Sequence, residues 1–336
     1  MRSNQALSQI IHEMSTEYKT FTNPTQEEMK QALEEDGVFV IENVLEQEFM
    51  DEVKTEIFAA MKVISEGKFD PENKETWQKK NLPPNSRGLF QHYGIGTQKF
   101  AVRVRANAKP VFETFYGTEE LLTSFDGLSF EPRPRQFRFK SVADWNATQN
   151  ETLHVDQTSA GFKCMQTGIS LEDQGLDSRT FVCIPKSHLR HTEVMNFMCG
   201  EEWPSSNWLP LNEKLMEYLG NPKPVRVPLK AGSMVCWDSR TIHASASPCK
   251  TLAPESYRLQ IFVCMKPIPT DKILYKKEQE KRAKYIAMGR TSRHTPVPIA
   301  VFGAAPNSYD GRKFPKLEPY LEMDDAEKKM HGLMPY

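Results

Sequence analysis

Four residues of the sequence could together perform metal chemistry: His154 and Asp156 in HVDQ, His243 in TIHAS, and Arg258 in YRLQIF. Two imidazoles and one carboxylate are the ligands that non-haem iron(II) oxygenases place on one face of the metal. An arginine adds a planar fork that binds a carboxylate through two parallel hydrogen bonds. These residue types therefore predict a metal-dependent enzyme that uses an acidic co-substrate.

The spacing of these residues indicates how a fold could bring them together. His154 and Asp156 are two residues apart, and alternate side chains of an extended strand point to the same side, so both can reach one ion. His243 follows the β-prone stretch GSMVCW, at a place where an antiparallel barrel can return the chain to the same opening. Arg258 begins a further β-prone stretch whose alternation predicts that its guanidinium points into the barrel.

Composition limits the class of protein. A chain of 336 residues with 39% hydrophobic residues can bury a large core without help from disulfides or metals. Lys+Arg 43 against Asp+Glu 44 gives a net charge of -1, so no electrostatic attraction to nucleic acid is expected. The six cysteines form no CxxC pair, which favours a reducing compartment. The sequence shows neither an apolar secretion segment nor a run long enough to span a bilayer, so we predict an intracellular, cytoplasmic protein with no membrane span.

The N-terminal part of the chain is predicted to be a helical support with one embedded strand, covering residues 1–67. Thr25 and Glu28 form a capping box, in which each side chain binds an otherwise unpaired backbone N–H at the start of a helix. Residues 38–41 are a β-branched and aromatic run that is typical of a buried strand. Residues 46–64 carry apolar residues at helical spacing.

The rest of the chain is predicted to complete a single oxygenase domain, 1–336. Residues 68–134 are expected to be a loop or lid region, since their first part is rich in Asn, Pro and Gly. Residues 135–267 contain short β-prone segments separated by turns: QFRFK, FKCMQTGISL, TFVCIP, VRVPL, GSMVCW and RLQIFVCMK. This pattern predicts a mainly β fold with flanking helices (α+β), built on a double-stranded β-helix, the cupin-like jelly roll. Residues 268–336 are expected to form a C-terminal helix and a wrapping tail.

The sequence resembles the phytanoyl-CoA dioxygenase-like family of iron(II)/2-oxoglutarate-dependent oxygenases. The resemblance covers most of the chain up to about Pro267, and the motifs that carry it are DGVFVIENVL, FRFK ahead of HVDQ, IPKSH after a strand, and GSMVCWDSRTIHAS followed by Arg258. IPKSH resembles the more usual PGSH turn, with lysine in place of glycine, which alters a loop and no ligand.

The resemblance implies the cofactors, the site and the reaction. His154, Asp156 and His243 would hold Fe(II), and Arg258 would pair with the distal carboxylate of 2-oxoglutarate. Ser245 matches a position whose hydroxyl joins that arginine; its alternative role is to form a turn in HASAS. With O2, such an enzyme abstracts hydrogen from an unactivated C–H of a small molecule, giving hydroxylation or oxidative cyclisation and releasing succinate and CO2. The alternative function is a non-catalytic jelly-roll protein that binds a metal or a small molecule.

The substrate is expected to be a small, acidic, amino-acid-derived metabolite. In QFRFK, the residues Gln136, Arg138 and Lys140 alternate with two phenylalanines, so the strand has one cationic face. That face either lines the barrel, where it would bind a carboxylate-bearing substrate, or it faces solvent. Gln166 and Thr167 are further candidates for substrate binding.

Overall fold

The computed structural model describes residues 18–86, 88–132, 153–205, 207–246, 257–303 and 314–336. Their fold class is mainly β with flanking helices, the jelly-roll class that the sequence predicts. The described helices are α1 (Gln26–Glu35), α2 (Gln47–Ile64), α3 (Lys99–Tyr116), α4 (His191–Cys199), α5 (Glu213–Tyr218), α6 (Lys272–Ala287) and α7 (Asp325–His331). The described strands are β1 (Lys19–Phe21), β2 (Val38–Ile41), β3 (Leu89–Phe90), β4 (Leu121–Thr123), β5 (Leu128–Pro132), β6 (His154–Val155), β7 (Met165–Ser170), β8 (Phe181–Cys183), β9 (Leu209–Pro210), β10 (Val225–Val227), β11 (Met234–Asp238), β12 (His243–Ser245) and β13 (Tyr257–Pro267).

The chain divides into two compact units, each built from three separate stretches. The first unit comprises Met1–Glu42, Arg135–Met165 and Asp173–Ala253, and the second comprises Asn43–Pro134, Gln166–Glu172 and Pro254–Tyr336. Neither unit corresponds to one of the consecutive segments expected from the sequence. The description of the whole chain as a single oxygenase domain stays a prediction.

The first unit contains a small antiparallel sheet that carries the candidate metal ligands. Its strand order is β10-β8-β12-β6-β9, and each pair of neighbours in that order is hydrogen bonded. In the same unit, β2 pairs in parallel with β1 and antiparallel with β11. Apolar side chains of the small sheet pack on α4 and α5, which cover it with a continuous buried cluster.

The second unit contains an antiparallel sheet built around the long strand β13. Strand β7 pairs with one edge of β13, β5 pairs with the other edge, and β3 pairs with β5. Strand β4 pairs with the last residues of β13. Residues directly opposite in an antiparallel pair lie on the same face, so the register fixes which side chains of this unit share a surface.

Local sequence signals predicted several of these elements. Helix α1 begins at the expected capping box: the Glu28 carboxylate accepts a hydrogen bond from the Thr25 backbone N–H at 2.8 Å, and the Thr25 hydroxyl accepts one from the Glu28 N–H at 3.3 Å. Asn212 caps the start of helix α5 and Asp271 caps the start of helix α6, each through its side chain. Helix α1 therefore begins where the capping box predicts it.

The structure differs from the loop expectation over 68–134. Residues 99–116 form α3, an 18-residue helix, and β4 and β5 follow it. Within 68–98, aromatic contacts of the buried Trp77 anchor the chain: its ring lies edge-on to that of Phe130, with centroids 5.7 Å apart, and to that of Tyr257, with centroids 5.1 Å apart. Among the described helices, none combines the length and apolar character that crossing a bilayer requires.

Candidate metal centre

Two adjacent strands of the first unit hold His154 and His243 face to face. Strand β6 carries His154, β12 carries His243, and the antiparallel register places these two residues directly opposite each other. Opposite residues project to the same side of a sheet, and the two imidazole ring centroids are 4.4 Å apart. Pairing of the strands therefore brings together two histidines that are far apart in the sequence.

Asp156 completes a cluster of three potential ligands. It follows β6 directly, and its carboxylate lies between the two rings: one oxygen is 3.7 Å from His154 Nε2, and the other is 3.6 Å from His243 Nε2. One ligand atom from each of the three residues lies within 4.8 Å of the others. Nitrogen and oxygen donors that bind one ion at about 2.1 Å are about 3 Å apart, so small side-chain rotations would let all three bind the same ion. The donor set fits a divalent transition metal such as iron(II).

The environment of His243 fixes which of its nitrogens can bind metal. His243 Nδ1 lies 2.9 Å from the Thr241 carbonyl oxygen, which only accepts hydrogen bonds, so Nδ1 carries the proton and Nε2 presents its lone pair toward Asp156. The Phe181 ring stacks on the imidazole with ring centroids 5.6 Å apart, and the Trp237 ring centroid lies 5.2 Å from that of the imidazole. With its side chain 7% exposed, His243 is the more enclosed of the two histidines.

Gln157 holds the segment that carries Asp156. The Gln157 side chain is fully buried: its amide oxygen accepts a hydrogen bond from the Ser239 hydroxyl at 2.6 Å, and its amide nitrogen donates to the carbonyls of Ser159, at 2.6 Å, and Gly161. The Gln157 carbonyl accepts a hydrogen bond from His191 Nε2 at 2.8 Å. These bonds fix the loop after Asp156 to the turn before His243.

Two further histidines of the first unit, His188 and His191, support the structure. His188 Nε2 donates to the Glu34 carbonyl at 2.9 Å, just as His191 donates to Gln157. Burial lowers the pKa of both imidazoles, which keeps them neutral at physiological pH. These two histidines therefore supply hydrogen bonds to the end of α1 and to the segment that follows Asp156.

Arg258 lies in the second unit, on β13. It is buried, and its guanidinium donates to the Ser129 hydroxyl at 3.1 Å and to the Gln260 side-chain oxygen. Gln260 lies over Gly168, where a Cβ would come within 1.9 Å of the Gln260 amide nitrogen, so glycine is required beneath the amide. The register places Gly168 opposite Phe262 on the Arg258 face of the sheet.

The other predicted site residues occupy different surroundings. Gln166 shares the face of Arg258 and donates to the His294 carbonyl at 2.7 Å. Thr167 lies on the opposite face, where its hydroxyl donates to the Val263 carbonyl at 2.7 Å. Ser245 is half-buried on β12, opposite Phe181. The predicted substrate-binding residues Gln136, Arg138 and Lys140 lie outside the described residues, so their role stays a prediction.

Three residues beside the ligands were not identified from the sequence: Gln157, Thr241 and Trp208. The adjacency of Gln157 to Asp156, and of Thr241 to His243, was the only local signal for two of them. Trp208 precedes β9, the strand that pairs with β6, and its ring centroid is 5.9 Å from that of His154. Its proximity depends on strand pairing, which the sequence alone does not display.

Comparison with known proteins identifies the family. A model of the family described as phytanoyl-CoA dioxygenase (PhyH) matches residues 33–248, so the chain belongs to this family. Its members are oxygenases whose cofactors are iron and 2-oxoglutarate, and the His-Asp-His cluster of this chain fits that metal. A curated relative, the Ava biosynthesis cluster protein O of Aspergillus versicolor, is 24% identical over 229 residues, which cover 62% of this chain and 68% of that protein.

Two solved structures share the fold. GlcNAc Inducible Gene 2, GIG2, of Candida albicans matches with a TM-score of 0.60 and 12% identity, over 99% of this chain and 83% of that one. The hypothetical protein JW0805 of Escherichia coli matches with a TM-score of 0.58 and 12% identity, over 98% and 92% of the two chains. At such low identity the likeness extends to the fold alone.

Proposed function

We propose that this protein is an iron(II)/2-oxoglutarate-dependent oxygenase that abstracts hydrogen from an unactivated C–H of a small organic metabolite. The single observation that carries the proposal is the convergence of His154, Asp156 and His243 on adjacent segments of one sheet, with one ligand atom of each within 4.8 Å of the others. In this proposal the three side chains hold the iron. Bound iron, with 2-oxoglutarate and O2, supplies the oxidising power for C–H abstraction and releases succinate and CO2.

The protein's own residues prepare the site in three ways. Thr241 keeps His243 in the tautomer whose Nε2 can bind metal. Asp156 contributes the negative charge that partly neutralises a divalent cation. Phe181 and Trp237 enclose the His243 ring and exclude water from that side of the site. A metal held by these three side chains would still be able to bind the co-substrate and oxygen.

Arg258 is proposed to bind the distal carboxylate of 2-oxoglutarate. A buried guanidinium oriented by Ser129 and Gln260 is suited to a carboxylate, because its geometry is fixed before the ligand binds. Ser245 is proposed to assist it, as the family resemblance implies. An acidic, amino-acid-derived substrate bound by Gln136, Arg138 and Lys140, with Gln166 and Thr167, remains a proposal from the sequence.

Iron binding and uncoupled turnover test the function. Purified protein is titrated with Fe(II) under anaerobic conditions, and succinate is then measured after addition of 2-oxoglutarate and O2, with no other substrate. We expect binding of one iron and slow, iron-dependent succinate release. His154→Ala is expected to abolish both, because it removes one of three ligands. His92→Gln, which changes a half-buried histidine of the second unit, is the matched control and retains both.

The alternative function, a non-catalytic metal or small-molecule binding protein, predicts a different result. Iron would bind with the same dependence on His154, but no succinate would form with 2-oxoglutarate or with any substrate panel. Iron binding that survives His154→Ala would contradict the ligand assignment itself.

A further inference from the structure

Two large aromatic side chains of the first unit are exposed on segments that adjoin the metal ligands in the sequence or by strand pairing. Phe162 is 46% exposed and Trp208 is 54% exposed. The Trp208 ring centroid lies 5.9 Å from the ring centroid of His154, inclined at 45°. His154 is the more open ligand histidine, with a side chain 20% exposed against 7% for His243. The Trp208 ring therefore lies next to the more exposed ligand of the cluster.

The segments that carry these rings are held in place. Phe162 belongs to the loop that follows Asp156, and the buried Gln157 amide fixes that loop by donating to the carbonyls of Ser159 and Gly161. Trp208 immediately precedes β9, whose Leu209 pairs with Val155 next to His154. The fold thus holds the backbone that precedes Phe162 and the backbone that follows Trp208.

A hydrogen bond joins the two segments to each other. The Lys163 ammonium, one residue after Phe162, donates to the Asn207 side-chain oxygen at 2.8 Å, and Asn207 is the residue before Trp208. The two loops therefore form one connected surface, which we call the aromatic rim and define as Phe162, Lys163, Asn207 and Trp208. An enzyme gains binding energy from such a surface because little conformational entropy remains to be lost on binding.

The occupant of the aromatic rim is best identified by its chemistry. Burying apolar surface is energetically favourable, and these two exposed rings do not contribute that energy in the free protein. A ligand with a flat apolar face would bury them by stacking on them. Tryptophan also attracts cations, but the Lys163 ammonium in the same rim repels them. A flexible alkyl chain would lose rotational freedom on the rim that a rigid ring does not lose. These terms favour a rigid ring that is uncharged or anionic.

We propose that the aromatic rim selects the substrate of this site, and that the substrate carries an aromatic or fused apolar ring that stacks on Trp208 and Phe162 while its reacting carbon faces the metal ligands. This inference rests on the proposed function for the identity of the reaction. The ring-binding surface can be tested without turnover.

The test compares two probes of equal charge, 2-naphthoate and decanoate, which differ in whether the apolar part is a rigid ring or a flexible chain. Binding is measured by isothermal titration calorimetry on protein loaded with Mn(II) and 2-oxoglutarate in the absence of oxygen. We expect 2-naphthoate to bind more tightly than decanoate. Trp208→Ala and Phe162→Ala should each weaken 2-naphthoate binding about tenfold, and Trp208→Phe should restore most of the affinity because it retains a ring.

Tyr218→Ala supplies the matched control, since Tyr218 is an exposed aromatic residue of the same unit, on α5, that stacks on Phe197 of α4 instead of on a ligand histidine. It should leave 2-naphthoate binding unchanged. Circular dichroism checks that each variant is folded. Equal affinity for the two probes, failure of 2-naphthoate to bind, or an unchanged affinity in Trp208→Ala would each overturn the inference.

The proposed function can fail separately. Fe(II)-dependent succinate release by the wild-type protein is measured on the same preparation. If succinate forms and the ring preference is absent, the aromatic rim proposal is wrong and the oxygenase proposal stands. If 2-naphthoate binds as expected and no succinate forms, the rim exists in a protein that does not turn over.

Discussion

At the scale of single residues, the site depends on a glutamine that binds no metal. Gln157 satisfies three partners with one buried amide: the Ser239 hydroxyl and two loop carbonyls. A buried polar group left without its partner costs about 1–3 kcal/mol, so the arrangement is strongly specified. The side chain joins the loop after Asp156 to the turn before His243, and therefore sets the separation of two ligands through the backbone.

Replacing Gln157 with methionine keeps most of the volume and removes the hydrogen bonds. We expect the free energy of unfolding to fall by about 2–3 kcal/mol, because the Ser239 hydroxyl and the loop carbonyls lose partners. Fe(II) affinity, measured by anaerobic titration on folded protein, should fall about tenfold or more, in the range found when groups that orient metal ligands are removed.

Gln98→Met is the matched control for that variant. Gln98 also donates through its side chain to two carbonyls, those of Gly94 and Glu318, but it lies in the second unit. It should lower stability and leave Fe(II) affinity unchanged. Equal effects of the two variants on iron affinity would show that Gln157 acts only on stability.

At the scale of elements, the turn after α1 is built around Gly37. Gly37 has φ 73°, and a Cβ there would lie 2.3 Å from His188 Nδ1 and 2.7 Å from the Thr241 hydroxyl. Its carbonyl accepts hydrogen bonds from the Thr241 hydroxyl, at 2.9 Å, and from the Asp238 backbone N–H, at 3.0 Å. The glycine thus lets the end of α1 support the turn that leads to His243.

Gly37→Ala should destabilise the protein by about 2–4 kcal/mol, since it adds a left-handed backbone penalty to a steric clash. Urea unfolding measures the change. Gly67→Ala is the control: Gly67 has φ 77° but no atom within 4 Å of its would-be Cβ, so only the backbone penalty of about 1 kcal/mol is expected. If both variants lose the same stability, the close approach of His188 and Thr241 does not add to the cost of the Gly37 substitution.

Some helices and strands have a signal in their own local sequence, and these could be predicted; others have none. The Thr25 capping box and the apolar stripe of α2 are written within a few residues, and both were predictable. Helix α3 was missed because its buried face includes Arg105, and because Pro110 interrupts the usual helical pattern. From the sequence alone, a charged arginine is expected to face solvent. Arg105 is instead buried, and its guanidinium donates hydrogen bonds to the Gly96 and Asp126 carbonyls.

The site divides in the same way. His154, Asp156 and His243 could be proposed from residue type and spacing, and strand pairing then brings them together. Trp208 could not be proposed, because its neighbourhood is created by pairing of β9 with β6. The contacts of Arg258 with Ser129 and Gln260 likewise depend on the register of β13 with β5 and on side-chain rotation.

At the scale of the whole molecule, one buried histidine couples stability to pH. His331, on α7, donates from Nδ1 to the Glu327 carbonyl at 2.8 Å and accepts at Nε2 from Arg105 at 3.4 Å. Burial, reinforced by the positive charges of Arg105 and Arg282, lowers the pKa of His331 to about 3. The folded protein therefore keeps this imidazole neutral over most of the acid range.

Stability should fall as the pH decreases below the ordinary histidine pKa of about 6.5, because His331 then binds a proton in the unfolded chain but not in the folded protein. The loss is on the order of 1 kcal/mol per pH unit and ends near pH 3, where the folded form also protonates. His331→Gln, measured by thermal unfolding at several pH values, should show a shallower loss between pH 6.5 and 4. His92→Gln removes a less buried imidazole and should change the slope less. An unaltered slope in His331→Gln would contradict the assignment.

The pairing of β6 with β12 has a consequence for local motion. A metal ion bound to His154, Asp156 and His243 would cross-link two very short strands that are otherwise joined by few backbone hydrogen bonds. Opening of this strand pair would then require release of the ion. By mass action, free metal at one hundred times its dissociation constant makes that opening less favourable by about 2.7 kcal/mol, which lowers the population of the open form about a hundredfold. Amide hydrogen exchange at these strands should therefore report metal occupancy, with protection that rises in proportion to free metal and is absent from the second unit.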